Sequence, residues 1–257
     1  MKAVLTIAAS DPSGGAGIQA DLRAITAHGL YGMAVPTALT VQNTLGVTGV
    51  LILEPEFLAR QLEAVLSDIR PDAVKIGAMP GADHARVTAD LLRKFEITNI
   101  VFDLVLASTS GAALGTVEAV EFLAPLVSLL TPNLPEAAKL LGCDPGDISS
   151  PDGIESAARE LAAKFHAAVL LKGGHRTDGS FDDYFLPADG AGEWLPTRTA
   201  PPCGNHGTGC LLSSSIACGM AAGLSLLESI RRAKERLSDA LARGLSLGHG
   251  NGPVDFR

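Results

Sequence analysis

The chain has 257 residues, a formal net charge of −8, 47% hydrophobic, 19% charged and 4% aromatic residues, and 28 glycines. That length and apolar content support one sizeable core and exclude disorder and collagen-like repetition. There is no basic arm or stripe, which argues against nucleic acid or an anionic membrane as main partner. The four cysteines (143, 203, 210, 218) are scattered, with no Cys-x-x-Cys pair, and fit a reducing cytoplasm better than a disulfide scaffold.

In chain order, apolar runs alternate with helical patterns. Met1-Lys2 and residues 3–9 mimic a miniature signal peptide, but Asp11-Pro12 and a glycine cluster follow at once, so the run reads as a buried first strand. Further strands are expected at 34–40, 73–76, 99–102, 126–130 and 167–171, with helices at 18–28, 55–68, 82–95 and 116–123 between them. Ser150-Pro151 supplies an N-cap and a first-turn proline for a helix running to Phe165. Residues 178–202 break the rhythm, and short runs at 184–187 and 193–197 predict an antiparallel hairpin at a sheet edge. Residues 207–227 carry no charge, but three consecutive serines and scattered glycines favour a small-residue helix buried on a sheet over a membrane span. The pattern is that of a single α/β domain, 1–257, with a mostly parallel, doubly wound sheet and a short antiparallel edge.

Ligands of open α/β sheets bind beyond the carboxyl ends of the strands. The residues following the predicted strands are Ser10-Asp11-Pro12-Ser13-Gly14-Gly15-Ala16-Gly17, Gln42-Asn43-Thr44, Gly77-Ala78-Met79, Asp103, Thr131-Pro132-Asn133-Leu134-Pro135-Glu136 and Lys172-Gly173-Gly174-His175. Polar and glycine-rich segments thus converge at one end of the sheet. The Gly15-Ala16-Gly17 turn loosely matches a dinucleotide-binding pattern, but no acidic residue stands near 35–42 to hold a ribose, which favours another ligand.

His206-Gly207-Thr208-Gly209-Cys210 is the sharpest local feature. Its glycines let successive amides face one anion, and the uncharged helix behind adds its positive end. Such a pocket can neutralise charge on a phosphoryl group in transfer. A thiol at a helix N-terminus is expected to have a lowered pKa, so that Cys210 could take a proton from a substrate hydroxyl; a tight turn before a core cysteine is the competing reading. Cys203, His206 and Cys210 could also be zinc ligands, although no fourth ligand stands at metal spacing. Glu136, one helical turn from Asn133, could hold a magnesium-bound water or serve in helix capping. Lys172 at a strand end could neutralise phosphate. His28, His84 and His166 read as surface helix residues.

These segments, together with Thr37-Ala38-Leu39-Thr40-Val41-Gln42-Asn43-Thr44 and the ending Leu247-Gly248-His249-Gly250-Asn251-Gly252-Pro253, resemble the hydroxymethylpyrimidine and hydroxymethylpyrimidine-phosphate kinases of thiamine biosynthesis, within the ribokinase-like superfamily. The resemblance spans the chain in the right order. It implies a three-layer α/β/α fold, a homodimer, and ATP- and Mg²⁺-dependent phosphorylation of 4-amino-5-hydroxymethyl-2-methylpyrimidine and then of its monophosphate.

By the same resemblance, Cys210 is the base, Gly207, Thr208 and Gly209 form the anion hole, and Glu136 and Asp103 are magnesium-water positions. Lys172, Gly173 and Asn133 lie at the nucleotide. Gln42 reads the pyrimidine, with Asp21, Val105, Ala9 and Met79 around the same pocket. A carboxamide both donates and accepts, which suits an aminopyrimidine edge.

Several positions depart from the family pattern: Leu104 and Leu106 in the usual Asp-Pro-Val-Met, Thr109 where a loop lysine is usual, Ala9 for a glycine, and Ala78 between Gly77 and Met79. They bear on substrate preference and on the second phosphorylation. The alternatives are a pyridoxal or pyridoxine kinase and a non-catalytic pyrimidine sensor on the same scaffold.

Overall fold

The computed structural model describes residues 1–107, 111, 114–174, 179–197 and 206–256. Thr109, His175, Cys203 and the rest of the 202–205 stretch lie outside the described residues.

Among the described residues the strands are β1 (Ala3–Ser10), β2 (Tyr31–Asn43), β3 (Gly46–Ile52), β4 (Ala73–Ile76), β5 (Ile100–Phe102), β6 (Leu129–Leu130), β7 (Ala168–Leu171), β8 (Asp183–Leu186) and β9 (Glu193–Leu195). They form one sheet in the order β3-β2-β1-β4-β5-β6-β7-β8-β9. Pairing is parallel from β2 through β7 and antiparallel at both ends, for β2–β3 and for β7–β8–β9.

Along β1 the side chains alternate between two cores, as the period of a strand requires. Leu5 and Ile7 join a core with Leu58 and Leu62 of α2 (Pro55–Leu66), Ala85 and Leu92 of α3 (Ala82–Lys94) and Ile154 of α6 (Pro151–Phe165). Val4 joins the opposite core, with Ile25 of α1 (Gly17–Ala27), Leu212 and Ile216 of α7 (Thr208–Ala221) and Ile230 of α8 (Leu226–Arg243). The result is the expected three-layer α/β/α sandwich.

Helix α7 can lie buried on the sheet because its residues are small. At Gly219 a Cβ would stand 2.7 Å from Ser229 Oγ, so α7 and α8 cross at a distance that only glycine permits.

Four expectations need correction. The second strand continues past residue 40 to Asn43 and turns back as β3, giving a second antiparallel edge; glycine-interrupted residues 46–52 carry little strand signal. The strand predicted at 126–130 shrinks to β6, because Pro125 sits in a 3-10 turn over Ala124–Leu126. The uncharged 207–227 segment is not one helix: α7 ends near Gly223, whose φ is +87°, and Ser225 caps α8. His84 is buried rather than on the surface, with Nε2 2.7 Å from the carbonyl of Leu53.

Candidate active site

The carboxyl ends of the parallel strands enclose a cavity of about 740 Å³. A more open groove of about 870 Å³ between α6 and the β8–β9 hairpin lies away from the strand ends, around Arg159 and Trp194.

One end of the cavity carries Thr40 and Gln42. They stand on the inner face of β2, because successive strand residues point to opposite sides. Beside them Ala9, Ala38 and Ala78 pack together with Val105 and Leu114 as an aliphatic wall. The departures Ala9 and Ala78 therefore belong to the wall itself, whereas Leu104 and Leu106 are buried at the cavity and in the core behind it.

Gly207, Thr208, Gly209 and Cys210 line the middle. The first-turn amides of α7 have no acceptor within their helix, and that turn contains no acidic residue to offset its positive end. Gly207 takes φ +88°, and a Cβ there would stand 2.0 Å from the carbonyl oxygen of Gly15. The glycine is required twice over, by backbone conformation and by the approach of the Gly15 loop.

Asn133, Glu136, Lys172, Asp103, Asp183 and Lys234 stand towards the other end. Asp103 Oδ1 accepts from Lys172 Nζ at 3.0 Å and from Thr131 Oγ1 at 3.2 Å, and Oδ2 accepts from Ser213 Oγ at 3.2 Å. Burial raises the carboxyl pKa of Asp103, but Lys172 and Lys75 more than compensate and hold it below the ordinary range.

Asn133 and Glu136 form the reciprocal capping box of α5 (Leu134–Leu141), at 2.8 and 2.9 Å. Glu136 nevertheless lines the cavity, and its pKa is pushed up to about 7 by burial, with Lys172 opposing and Asp103 reinforcing the rise. Lys234 pairs with Asp183, whose Oδ1 accepts from the amide of Gly173 at 2.9 Å.

Cys210 overturns its expectation. Burial outweighs the helix terminus, Lys75 and the Gly17 amide, and the thiol is pushed up to about 12 rather than lowered. Three further residues stand behind the cavity wall instead of lining it. Asp21 is fully buried and holds Lys75 Nζ at 2.9 Å, Thr6 Oγ1 at 2.6 Å and Ser214 Oγ at 2.8 Å. Met79 belongs to the main core, and Gly173 acts through its amide on Asp183.

Sequence reasoning missed Lys75, whose signal was a lone lysine inside the apolar strand Ala73-Val74-Lys75-Ile76. It also assigned no role at this site to Asp11, Thr40, Asp183 or Lys234. Among the described residues no group of three His, Cys, Asp or Glu side chains is placed to hold a metal; Cys203 of the zinc alternative is outside them.

A sequence model of the phosphomethylpyrimidine kinase family matches residues 11–255. The chain belongs to the phosphomethylpyrimidine kinase family. Over 256 residues it is 43% identical to the hydroxymethylpyrimidine/phosphomethylpyrimidine kinase of Escherichia coli K12, covering 97% of this chain and 95% of that one. It is 42% identical to the thiamine biosynthesis bifunctional protein ThiED of Geobacter sulfurreducens, covering 98% of this chain and 51% of that protein.

The phosphomethylpyrimidine kinase structure from Clostridium difficile 630 matches with TM-score 0.81 and 36% identity, over 94% of this chain and all of that one. The ADP complex of Bacillus subtilis pyridoxal kinase matches with TM-score 0.89 and 30% identity, over 100% and 97%. The backbone thus follows the pyridoxal kinase more closely, and the residues follow the pyrimidine kinases. Function resides in side chains grafted on a shared scaffold, so residue identity decides. This member of the phosphomethylpyrimidine kinase family has the ribokinase-like fold and is a phosphotransferase of thiamine biosynthesis, which sets aside the non-catalytic sensor.

Proposed function

We propose that the chain, as one kinase domain over residues 1–257, transfers the γ-phosphoryl group of ATP to the hydroxymethyl oxygen of 4-amino-5-hydroxymethyl-2-methylpyrimidine, and then phosphorylates the monophosphate. The observation that carries this reading is one cavity holding a ring-reading carboxamide (Gln42), a thiol (Cys210) and a helix-terminal amide cradle (Gly207, Thr208, Gly209). The alcohol oxygen forms the new O–P bond, the β,γ-bridging P–O bond breaks to release ADP, and the alcohol proton passes to the Cys210 thiolate, the thiol having first released its own proton to solvent. Transfer of this kind runs through a loose transition state, so the cradle's stabilisation of the equatorial oxygens matters more than early deprotonation. The charge of Lys75 favours the Cys210 thiolate, against the burial that opposes it. Aliphatic Ala9, Ala78 and Val105 flank the ring, while Asn133 and Lys172 serve the nucleotide end, with Gly173 supporting it from behind through Asp183.

The donor set fits Mg²⁺ held through water. Glu136 and Asp103 place hard carboxylate oxygens at the cavity, and burial, reinforced by the Asp103 carboxylate, pushes the Glu136 pKa up, a rise that added positive charge would oppose as Lys172 does. Glu136 and Asp103 would hold Mg²⁺ through water there, and the chemistry it would supply is neutralisation of phosphate charge.

The outer face of the β2–β3 hairpin exposes Leu39, Val41 and Leu51, with Leu39 and Leu51 paired across the strands. A contiguous apolar sheet face at the edge of the site supports a homodimer. The described residues contain no helix long and apolar enough to cross a membrane, and with the cysteine usage we place the enzyme in the cytoplasm.

ADP release with the pyrimidine alcohol, its monophosphate and pyridoxal tests the reading. Turnover is expected with both pyrimidines; faster turnover of pyridoxal would overturn the substrate assignment.

A further inference from the structure

We propose that Asp11 and His206 are positioning residues that fix which way round Gln42 presents its amide, making a ring edge with adjacent acceptor and donor the preferred ligand. The proposal rests on Gln42 as the ring-reading residue, and its chain of evidence is geometric.

Asp11 is held immediately after β1. Its Oδ1 accepts from the amide and hydroxyl of Ser13 at 2.9 and 2.7 Å, and Oδ2 accepts from the amide of Ala16 at 2.9 Å. A carboxyl that receives so many donors is a carboxylate. Burial alone would raise its pKa, but the bonds from His206 and Ser13 hold it below the ordinary value. His206 Nε2 stands 3.0 Å from Asp11 Oδ2 and must therefore carry a proton.

The imidazole has little freedom to move away. The His206 amide donates to the carbonyl of Gly252 at 3.1 Å, and its carbonyl accepts from Val254 at 3.0 Å. The ring lies so close to Gly15 that a Cβ there would stand 2.4 Å from Cδ2.

The same Nε2 lies 3.2 Å from Gln42 Nε2, while Gln42 Oε1 lies 3.0 Å from Thr40 Oγ1. Thr40 Oγ1 also donates to the carbonyl of Ser10 at 2.9 Å. With the amide this way round, two N–H groups confront each other and a single hydroxyl proton faces two acceptors. Half a turn of the isosteric amide relieves both conflicts. His206 Nε2–H is then shared by Asp11 Oδ2 and Gln42 Oε1, Gln42 Nε2 donates to Thr40 Oγ1, and Thr40 donates to Ser10.

The remaining lone pair and proton of Gln42 meet the ligand in one fixed order. An aminopyrimidine, with a ring nitrogen beside an exocyclic amine, satisfies both; a pyridoxal ring has no such amine, and a polar group of the site stays unpaired.

The experiment has two arms. In ligand-free, ¹⁵N-labelled protein, NMR is expected to show His206 Nε2 protonated and the Gln42 carboxamide protons shifted by Asp11→Asn; an unprotonated Nε2 overturns the proposal whatever the substrate is. In steady-state kinetics, His206→Leu is expected to raise KM for the pyrimidine alcohol about tenfold, as for loss of a group that orients a directly contacting side chain. KM for ATP and kcat are expected to stay within about threefold, and His206→Gln, which keeps an N–H at similar reach, to restore most of the loss. Equal losses in both KM values, or no rescue by Gln, would assign His206 a merely structural role. Failure of wild type on the pyrimidine would instead defeat the substrate assignment and leave the NMR arm standing.

Discussion

Lys75 Nζ and Asp21 Oδ2 lie 2.9 Å apart with both side chains wholly excluded from solvent, directly behind the cavity floor. Thr6 and Ser214 supply further donors to the carboxylate, so the ion pair joins β1, β4, α1 and α7 at one point. Removing one partner strands a buried charge. Asp21→Asn is expected to cost about 3–5 kcal/mol of stability, and Lys75→Met in that background to recover part of it. Urea midpoints of the two variants and wild type check this; a loss below about 1 kcal/mol for Asp21→Asn would mean that the pair is not electrostatically isolated.

Cys210 is expected to resist alkylation at neutral pH in the unligated enzyme, its thiol being pushed up from the ordinary 9.0 to about 12 by burial. Mass spectrometry of the Cys210 peptide after iodoacetamide treatment across pH 7–11 reads this directly. Titration of its reactivity near or below pH 8 would contradict the burial argument. Cys210→Ser is expected to lower kcat by about 10²–10⁴-fold if the Cys210 thiolate accepts the alcohol proton.

Glu136 has a folded pKa of about 7 against an ordinary 4.5, raised by burial. The folded chain then holds a proton that the unfolded chain has released, so this contribution to stability is full below pH 4.5 and lost as pH rises through 7. Glu136→Gln keeps an oxygen for the capping box but cannot ionise. The stability difference between variant and wild type is expected to grow in the variant's favour from pH 4.5 to 7, as followed by thermal unfolding in matched buffers; a flat difference would refute the assignment.

Gly207→Ala should displace the anion cradle, because a Cβ would stand 2.0 Å from the Gly15 carbonyl oxygen. A fall in kcat of about 10²–10³-fold, the scale for loss of an oxyanion donor, is expected. Circular dichroism with kcat measurement separates that from global unfolding. Retained activity would place the cradle elsewhere.

Leu51→Glu on the outer face of β3 is expected to abolish the proposed homodimer, because a charge would enter an apolar patch desolvated in that contact. Sedimentation velocity at matched concentrations checks this; a wild-type monomer would remove the hairpin face as a subunit contact.

Much of this protein was legible from order along the chain. Alternation of apolar runs and helical patterns determined the parallel sheet, and the topology of such a sheet brings Gln42, Asp103, Glu136, Lys172 and the 207–210 turn to one end, as the structure shows. Periodicity is a local property, so it survives without coordinates.

What tertiary structure decided depends on burial and distant partners. The helix N-terminus at Cys210 predicts a lowered pKa, yet the low-dielectric surroundings that reverse it come from α1, α8 and the C-terminal residues Val254 and Phe256, far apart in sequence. Asp21 reads as a pocket residue until Lys75, 54 positions away, is found to occupy its carboxylate. His206 and Asp11, 195 positions apart, become a pair only when the chain closes on itself. Sequence spacing names the groups that can do chemistry; the dielectric and the partners that set their ionisation and orientation arise only on folding.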